Sequence, residues 1–325
     1  MAQLETTYLG LKLRNPIVVS SSGLTSELEK IKTLEKNGAG AIVLKSLFEE
    51  QINFEAKHLS SGTDYPEAWD YVKYYTRNNS VNDYLNLIKQ AKEAVSVPII
   101  ASINAVTAKE WVNFAKDIEK AGADALEVNV YVLPTDKNAP GEAYEQVYFD
   151  LAEKLKNILS IPFSFKLGRH FSNLVGFVER LNAEDVPGVV LFNRFYEPDI
   201  DLDTLQFRAA EVFSTPAELR DSLRWVGIVS SKVERIDVAA STGVHDSSAA
   251  VKQLLAGAQV VQVCSTLYKN GLEHLSKIVE GVDDWMDKKG FESVEEMRGK
   301  MSYAKIENPQ VYERAQFMKY FSSID

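Results

Sequence analysis

The chain has 325 residues, 45% of them hydrophobic and 25% charged, with a formal net charge of −10 at pH 7. This composition is typical of a globular protein in solution, and an acidic balance without a basic run argues against a nucleic-acid-binding surface. The single cysteine, Cys264, excludes an internal disulfide framework, and the four histidines show no metal-ligand spacing. We therefore predict no metal site.

The sequence also bears on location. The first residues, Met-Ala-Gln-Leu-Glu, lack the basic and apolar regions of a signal peptide, and no apolar run has the length of a membrane span. A lone cysteine fits a reducing compartment. We expect a cytoplasmic protein that does not contact membranes.

Apolar runs of strand length alternate with amphipathic stretches of helical period. The predicted strands are 16–20, 41–44, 97–103, 125–130, 162–166, 188–192, 236–240 and 260–263. The predicted helices are 25–37, 81–94, 107–121, 144–159, 172–183, one opening at Thr215-Pro216, 246–256 and 271–288. Thr107 and Glu110 form a capping-box pattern. Polar segments 46–80 and 194–213 interrupt the alternation, and the tail has helical pieces near 293–300 and 308–320.

Repeated strand–helix units with all-apolar strands indicate a parallel sheet covered on both faces. Eight such units predict an α/β fold, a (β/α)₈ TIM barrel, with insertions after strands 2, 4 and 6. An open doubly wound sheet is the alternative, but its GxGxxG turn does not follow the first strand. We expect one barrel domain over residues 1–300 and a C-terminal helical appendage over 301–325, packed on the barrel or on a partner subunit.

Polar residues end every predicted strand, where the active sites of such barrels lie. A lone lysine is usually exposed to solvent. Lys45 and Lys166, however, come at the ends of strongly apolar strands, which favours a functional role for both. Glu127 and Asn129 are costly on a buried strand unless a site needs their hydrogen bonds. The remaining strand-end residues are Ser20, Ser21, Ser22, Gly23, Ser46, Ser102, Asn104, Asn193, Arg194, Ser241, Thr242, Gly243, Cys264, Ser265 and Thr266.

The loops after strands seven and eight, which contain Thr242-Gly243 and Cys264-Ser265-Thr266, form a second constellation. Barrels commonly bind phosphate between these two loops. Alternatively, the glycine and hydroxyl residues only make turns. The position of both loops favours a phosphate site.

Seven segments, in order and spacing, resemble the dihydroorotate dehydrogenase family over nearly the whole chain up to about Lys300. They are LGLKLRNPIVVSSSG near the start, NGAGAIVLKS, ASINA, ALEVNV, FSFKL, VVLFN and AGAQVVQVCSTLYKNG. The resemblance implies an FMN-dependent barrel in which FMN lies across the mouth.

The resemblance also implies roles for single residues. Lys166 is expected beside the flavin N1/O2 edge, where a cation stabilises the reduced ring, and Lys45 between flavin and substrate. Asn129 and Asn193 are expected to bind the substrate or the ring. The other implied cofactor-binding residues are Ser21, Ser22, Gly23, Ser46, Asn104, Thr242, Gly243, Cys264 and Ser265. On this interpretation Cys264 is a packing or backbone-donor residue rather than a nucleophile.

The sequence departs from the family pattern on the substrate side. The proton-transferring Cys or Ser of the loop after strand four is replaced by Val132, which cannot move a proton. Tyr131, Thr135 and Asp136 are nearby polar candidates, and we rank Tyr131 with the catalytic residues. Arg194 follows strand six, where it suits a carboxylate or phosphate of the substrate; alternatively it pairs with a rim acid such as Glu197 or Glu127.

These features predict an FMN-dependent oxidoreductase acting on a CH–CH bond of a dihydropyrimidine-like substrate, which differs from that of the family if the base is lost. The alternative is a non-catalytic barrel that binds a phosphorylated or nucleotide-like ligand, and a third is a lyase using Lys166 or Lys45 as a Schiff base. The resemblance further implies a homodimer, and any electron-transfer centre must lie on a separate subunit.

Overall fold

The computed structural model describes residues 2–48, 66–104, 108–130, 132–195, 197–209 and 211–314, without the side chains of 48, 66–79 and 108–113. The strands are β1 Thr6–Tyr8, β2 Leu11–Leu13, β3 Ile17–Val19, β4 Ala41–Val43, β5 Leu47–Phe48, β6 Ile99–Asn104, β7 Ala125–Asn129, β8 Phe163–Leu167, β9 Gly188–Leu191, β10 Pro198–Asp201, β11 Gln206–Ala209, β12 Asp237–Ala240 and β13 Val260–Val263.

The helices surround these strands. They are α1 Leu28–Lys36, α2 Pro66–Ala94, α3 Ala108–Lys120, α4 Gly141–Ile158, α5 Leu174–Ala183, α6 Leu219–Lys232, α7 Ser247–Ala256, α8 Ser265–Asn270, α9 His274–Lys289, α10 Val294–Met297 and α11 Gln310–Glu313. Short 3₁₀ turns over Gly23–Thr25 and Pro216–Glu218 precede α1 and α6. Within the described residues, we find no helix with both the length and the apolar character needed to cross a membrane.

Eight parallel strands close into a barrel. Their order is β3, β4, β6, β7, β8, β9, β12 and β13, and β13 returns to pair with β3. The strand β4 pairs with β3 on one side and β6 on the other, which completes the ring. The predicted TIM barrel is therefore confirmed.

Successive side chains along each barrel strand point alternately into the barrel interior and into the layer between strands and helices. In β7, Leu126 and Val128 pack in the cluster between strands and helices, while Ala125 belongs to the interior cluster. Because strand side chains alternate, Glu127 and Asn129 share the inward face with Ala125. The strand ends thus place polar groups inside the barrel mouth.

The N-terminal hairpin β1–β2 forms the floor of the barrel. Tyr8, Leu9 and Leu13 pack against inward residues of the barrel strands. The backbone N–H of Leu9 donates to Asp237 Oδ2 at 2.6 Å, which ties the hairpin to β12. The hairpin was not predicted from the sequence, because its strands have three residues each and expose Thr7 and Lys12.

Four predicted segments need correction. The helix predicted from residue 81 begins at Pro66, a residue suited to a first helical turn. The segment 194–213 contains the hairpin β10–β11. The closing helix predicted over 271–288 begins at His274 as α9, and a short helix that was not predicted, α8, precedes it and is separated from it by Gly271 with φ +87°. In the tail, α10 and α11 are shorter than predicted. Thr107 of the predicted capping box lies outside the described residues.

The described part of the appendage contacts the barrel helices. The Tyr312 ring lies against Gly227 of α6, where an added Cβ would be 2.4 Å from the ring. The backbone N–H of Tyr303 donates to Gly227 O at 3.0 Å, and that of Met301 donates to Leu255 O at 2.8 Å. The division at residue 300 stays a prediction, and residues 315–325 lie outside the described residues.

Candidate active site at the C-terminal end of the barrel

A cavity of about 420 Å³ opens at the carboxyl ends of the barrel strands. This volume falls in the range of small-molecule sites. The residues that line it are Ser20, Ser21, Ser22, Asn193, Arg194, Val212, Phe213, Ser214, Ser241, Thr242, Gly243, Val244, Gln262, Cys264, Ser265 and Tyr268. The structure therefore brings together Ser21, Ser22, Asn193, Arg194, Thr242, Gly243, Cys264 and Ser265 from the predicted set.

Lys166 lies inside the barrel beneath this cavity and is 5% exposed. Its Nζ donates to Ser20 Oγ at 2.9 Å and to Gln262 Oε1 at 2.8 Å, and both of these residues line the cavity. The third partner is Glu127 Oε1 at 3.3 Å. The sequence predicted Lys166 on the rim, whereas the structure holds it in the wall by a buried ion pair.

A second polar network lies between β4, β6 and β7. Asn129 Nδ2 donates to Ser46 Oγ at 3.1 Å and Ser102 Oγ at 3.0 Å, and the two hydroxyl oxygens are 2.7 Å apart. Ser21 Oγ accepts from the backbone N–H of Ser46 at 2.9 Å, which joins β3 to this network. From helix α2, the Tyr84 hydroxyl accepts from the backbone N–H of Ser102 at 2.7 Å. These contacts fix the Asn129 carboxamide and leave its oxygen available.

Lys45 and Asn104 end neighbouring strands on the same side of the mouth. The half-buried Lys45 side chain has no hydrogen-bond or ion-pair partner among the residues that the structure describes. Asn104 Oδ1 is buried and, within the same described part of the chain, also lacks a partner. A buried amide oxygen without a partner is costly, so this position suits a ligand donor.

The loop after β12 has two consecutive residues with a left-handed backbone. Thr242 and Gly243 have φ values of +77° and +78°, in the left-handed region that favours glycine. A Cβ on Gly243 would lie 2.2 Å from the backbone nitrogen of Leu219, so no other residue fits there. Thr242 Oγ1 donates to Phe192 O at 3.1 Å, which anchors the loop to β9. The phosphate site that the sequence predicts in this loop stays a prediction.

Ser214, His245 and Lys269 were missed by the sequence analysis. Ser214 Oγ lies 3.1 Å from His245 Nε2, and Lys269 Nζ donates to Ser214 O at 3.0 Å. The backbone N–H of Ser214 donates to Ser265 Oγ at 3.0 Å. Burial, and then the charge of Lys269, lower the pKa of His245, which favours the neutral ring. These long-range contacts bind the segment before α6 to the cavity wall, and no local motif marks them.

Arg194 lies at the cavity edge and forms ion pairs with acids of the chain. Its Nε is 3.1 Å from Glu218 Oε2, and its Nη2 is 3.6 Å from Glu197 Oε2. Of the two acids considered from the sequence, Glu197 is a partner, whereas Glu127 pairs with Lys166. Glu218 was missed as a partner because it also completes the capping box of Thr215.

Cys264 lines the cavity at the end of β13. Burial raises the pKa of its thiol, while a hydrogen bond with Ser22 and the charge of Lys166 partly oppose the shift. A raised pKa reduces the thiolate fraction at neutral pH and with it the nucleophilicity. This is consistent with a packing or backbone-donor residue.

The loop after β7 turns apolar side chains away from the barrel interior. Val130, Val132 and Pro134 line a separate cavity of about 160 Å³ together with Tyr144 and Tyr148 of α4. Thr135 and Asp136 are exposed, and Tyr131 lies outside the described residues. None of the described side chains in this loop is a base that faces the main cavity.

The chain is similar to proteins of one known family. The dihydroorotate dehydrogenase family profile matches residues 3–286. The catalytic subunit of dihydroorotate dehydrogenase B (NAD(+)) from Thermoplasma acidophilum is 26% identical over 309 residues, 92% of this chain and 99% of that protein. A putative dihydroorotate dehydrogenase A (fumarate) from Aeropyrum pernix is 28% identical over 305 residues, 91% of this chain and 97% of the relative. The chain belongs to the dihydroorotate dehydrogenase family.

Proposed function

We propose that the protein is an FMN-dependent oxidoreductase that acts on a CH–CH bond of a dihydropyrimidine-like ring. One observation carries the proposal: the cavity joins a positive-φ turn at Thr242-Gly243 to a buried cation, Lys166, through Ser20 and Gln262. A phosphate site and a cation under a ring are the two demands of a bound flavin mononucleotide. Family membership supports the oxidoreductase class.

The residues of the cavity fit FMN. The Thr242-Gly243 turn and the Cys264-Ser265 backbone would hold the phosphate, because they line one end of the cavity. Ser21, Ser22 and Gly23 would line the ring with Ser46, and the unpartnered Asn104 Oδ1 would accept a hydrogen bond from it. FMN, when bound, supplies the hydride acceptor of the reaction.

The chain's own residues then bind and orient the substrate. Lys45, whose ammonium has no partner among the described side chains, would meet negative charge on the substrate or the ring. Asn129 would accept from a ring N–H through Oδ1, since its Nδ2 is engaged by Ser46 and Ser102. Asn193 would bind the opposite edge. Arg194 would bind an acidic substituent by exchanging its longer contact with Glu197.

The substrate is proposed to differ from dihydroorotate. Efficient oxidation of a CH–CH bond requires a base for the second hydrogen, and Val132 cannot accept a proton. Tyr131 is the proposed substitute in this loop, since it is a neighbouring residue with an ionisable hydroxyl.

The name of one relative supports a proposal about a partner of this chain. The Thermoplasma acidophilum protein is named a catalytic subunit, so we propose that a separate electron-transfer subunit accepts electrons from this chain. We also propose a cytoplasmic homodimer.

The test begins with purified full-length protein. We expect a yellow protein that releases FMN on denaturation; colourless protein that cannot be reconstituted with FMN would contradict the proposal. With FMN bound, anaerobic dihydroorotate should bleach the flavin slowly, and rapid bleaching would show that the loss of the base at Val132 is not limiting.

A matched pair of glycine variants tests the phosphate turn. Gly243→Ala and Gly10→Ala both place alanine at positive φ, at +78° and +76°, but only Gly243 faces backbone atoms within 3 Å. We expect Gly243→Ala to weaken FMN binding by about tenfold or more, since the turn must move, and Gly10→Ala to cost only ~1 kcal/mol of stability. Equal FMN affinity in the two variants would show that the phosphate does not bind at this turn.

A second candidate function is a non-catalytic barrel that binds a phosphorylated or nucleotide-like ligand. It is favoured by the three internal partners of the Lys166 ammonium, which leave it no spare N–H. Lys166→Ala protein that keeps its affinity for FMN and loses no turnover would support this candidate against the first.

A further inference from the structure

The inference concerns Glu127, a carboxylate that the proposed chemistry leaves without a role. Its side chain is 1% exposed and points into the barrel from β7. Oε1 lies 3.3 Å from Lys166 Nζ, and Oε2 accepts from Gln262 Nε2 at 2.6 Å. Both carboxylate oxygens therefore have donors in the barrel wall.

Gln262 connects the pair to the cavity. Its Oε1 accepts from Lys166 Nζ at 2.8 Å and from Ser20 Oγ at 3.0 Å, while its Nε2 bonds Glu127. An ammonium has three N–H groups. Ser20, Gln262 and Glu127 engage all three, so these partners set where the charge of Lys166 lies.

A buried ion pair inside a barrel costs free energy of desolvation. Desolvation of the two ions often exceeds their attraction, and apolar residues of similar size commonly give equal or greater stability. The adjacent interior layer is apolar in this chain, with Val190, Val260 and Ala239. The pair at Lys166 and Glu127 is therefore better explained by the charge that it provides than by stability.

The charge of Glu127 acts on its surroundings. Burial, and next the negative charge of Glu127, raise the pKa of the Tyr8 hydroxyl on the barrel floor. The same negative charge lowers the positive electrostatic potential that Lys166 produces in the cavity, because the two side chains are adjacent and little exposed to water.

We propose that Glu127 is a positioning residue: with Gln262, it fixes the Lys166 ammonium under the cavity and offsets its charge, which lowers the reduction potential of the bound flavin. The inference rests on the proposed function. A neutral residue at position 127 leaves the ammonium without its counter-ion, so negative charge on the reduced ring is stabilised more strongly.

The experiment uses FMN-loaded full-length protein with Glu127→Gln, which keeps the shape of the side chain and removes its charge. The midpoint potential, measured by equilibration with reference dyes, should move in the positive direction. Inorganic sulfite, which adds to electrophilic flavins, should bind about tenfold more tightly. Ser164→Ala is the matched control, since Ser164 is a buried neutral residue of the neighbouring strand β8. Its potential and sulfite affinity should equal those of the wild type.

Three outcomes overturn the inference. FMN-loaded Glu127→Gln protein with an unchanged or more negative potential would show that the carboxylate does not offset Lys166. Wild-type protein that binds no FMN would overturn the proposed function and this inference with it. If Glu127→Gln protein does not fold, the near-isosteric Gln262→Glu variant at pH 8 adds negative charge beside Lys166, and its potential must move in the negative direction. An unchanged potential there also overturns the inference.

Discussion

The two ends of the barrel interior are built from the same strands and differ in chemistry. At the floor, Tyr8, Leu9 and Leu13 pack with apolar inward residues. At the mouth, the inward positions of β7 and β8 carry Glu127 and Lys166, joined by a buried ion pair. Apolar burial contributes stability in proportion to area, whereas buried charges cost free energy unless paired. The contrast indicates that the floor contributes to the stability of the barrel, whereas the mouth holds charged side chains in fixed positions.

The largest expected effect comes from breaking the ion pair at the mouth. Lys166→Met removes the cation and leaves Glu127 buried without its counter-ion, so we expect a loss of about 3–5 kcal/mol of unfolding free energy. Denaturant titration of wild type and variant measures the loss. The double variant Lys166→Met with Glu127→Gln should recover part of it, because no unpaired charge is left. A double variant less stable than Lys166→Met would contradict this account of the mouth.

The next effect tests the floor. Leu13 is 2% exposed, and Leu13→Ala should cost about 3 kcal/mol through lost burial and a residual cavity. FMN affinity should change less than about twofold, since the floor does not contact the cavity. Leu11→Ala, at a partly exposed position of the same hairpin, is the control and should cost less. A large loss of FMN affinity in Leu13→Ala would show that floor and mouth are coupled.

The smallest effect concerns a charge outside the interior, on α3. The hydrogen bond from Lys116 and the backbone N–H groups of Ser160 and Ile161 lower the pKa of Glu119 from 4.5 to about 2, against the effect of burial. Because the folded-state pKa lies below the unfolded value, this stabilisation is present above pH 4.5 and is lost as pH falls towards 2. Because Glu119 is partly exposed and solvent screens its interactions, the size at neutral pH is roughly 1–2 kcal/mol.

Unfolding free energies measured between pH 2 and 7 check this window. Glu119→Gln should reduce the pH dependence that wild type shows between about 2 and 4.5. Glu153→Gln, on the exposed face of α4, should leave it unchanged. An identical pH profile for wild type and Glu119→Gln would assign the acid sensitivity to other carboxylates.

The barrel was predictable from sequence because its determinants are local. Apolar runs such as 41–44 and 260–263 match strands β4 and β13, and Thr215-Pro216 opens a capped turn before α6 as expected. Strand order follows from repeated strand–helix units, which leave little freedom in a closed parallel sheet. The corresponding strand ends then identify the residues that meet at the mouth.

The parts that the sequence did not reveal depend on contacts across the fold. The three partners of Lys166 come from β3, β7 and β13, and the sequence separation of Lys166 from Ser20 is 146 residues. Nothing near Lys166 in the sequence specifies burial rather than a place on the rim. Several acids were candidate partners of Arg194 in the sequence, and only the folded structure shows that Glu218 and Glu197 form the ion pairs. The roles assigned to single site residues stay predictions.

The floor hairpin has a consequence for how the chain folds. Leu9 N bonds a carboxylate 228 residues later, and Gln3 forms a bridge with Ser293. A hairpin made early in synthesis therefore lacks part of its contacts until β12 and the residues after α9 have emerged. Closing such long loops is entropically costly and slow. We therefore expect barrel closure and the sealing of its floor to occur together and late, with the apolar face of the first hairpin partly exposed to aggregation until then.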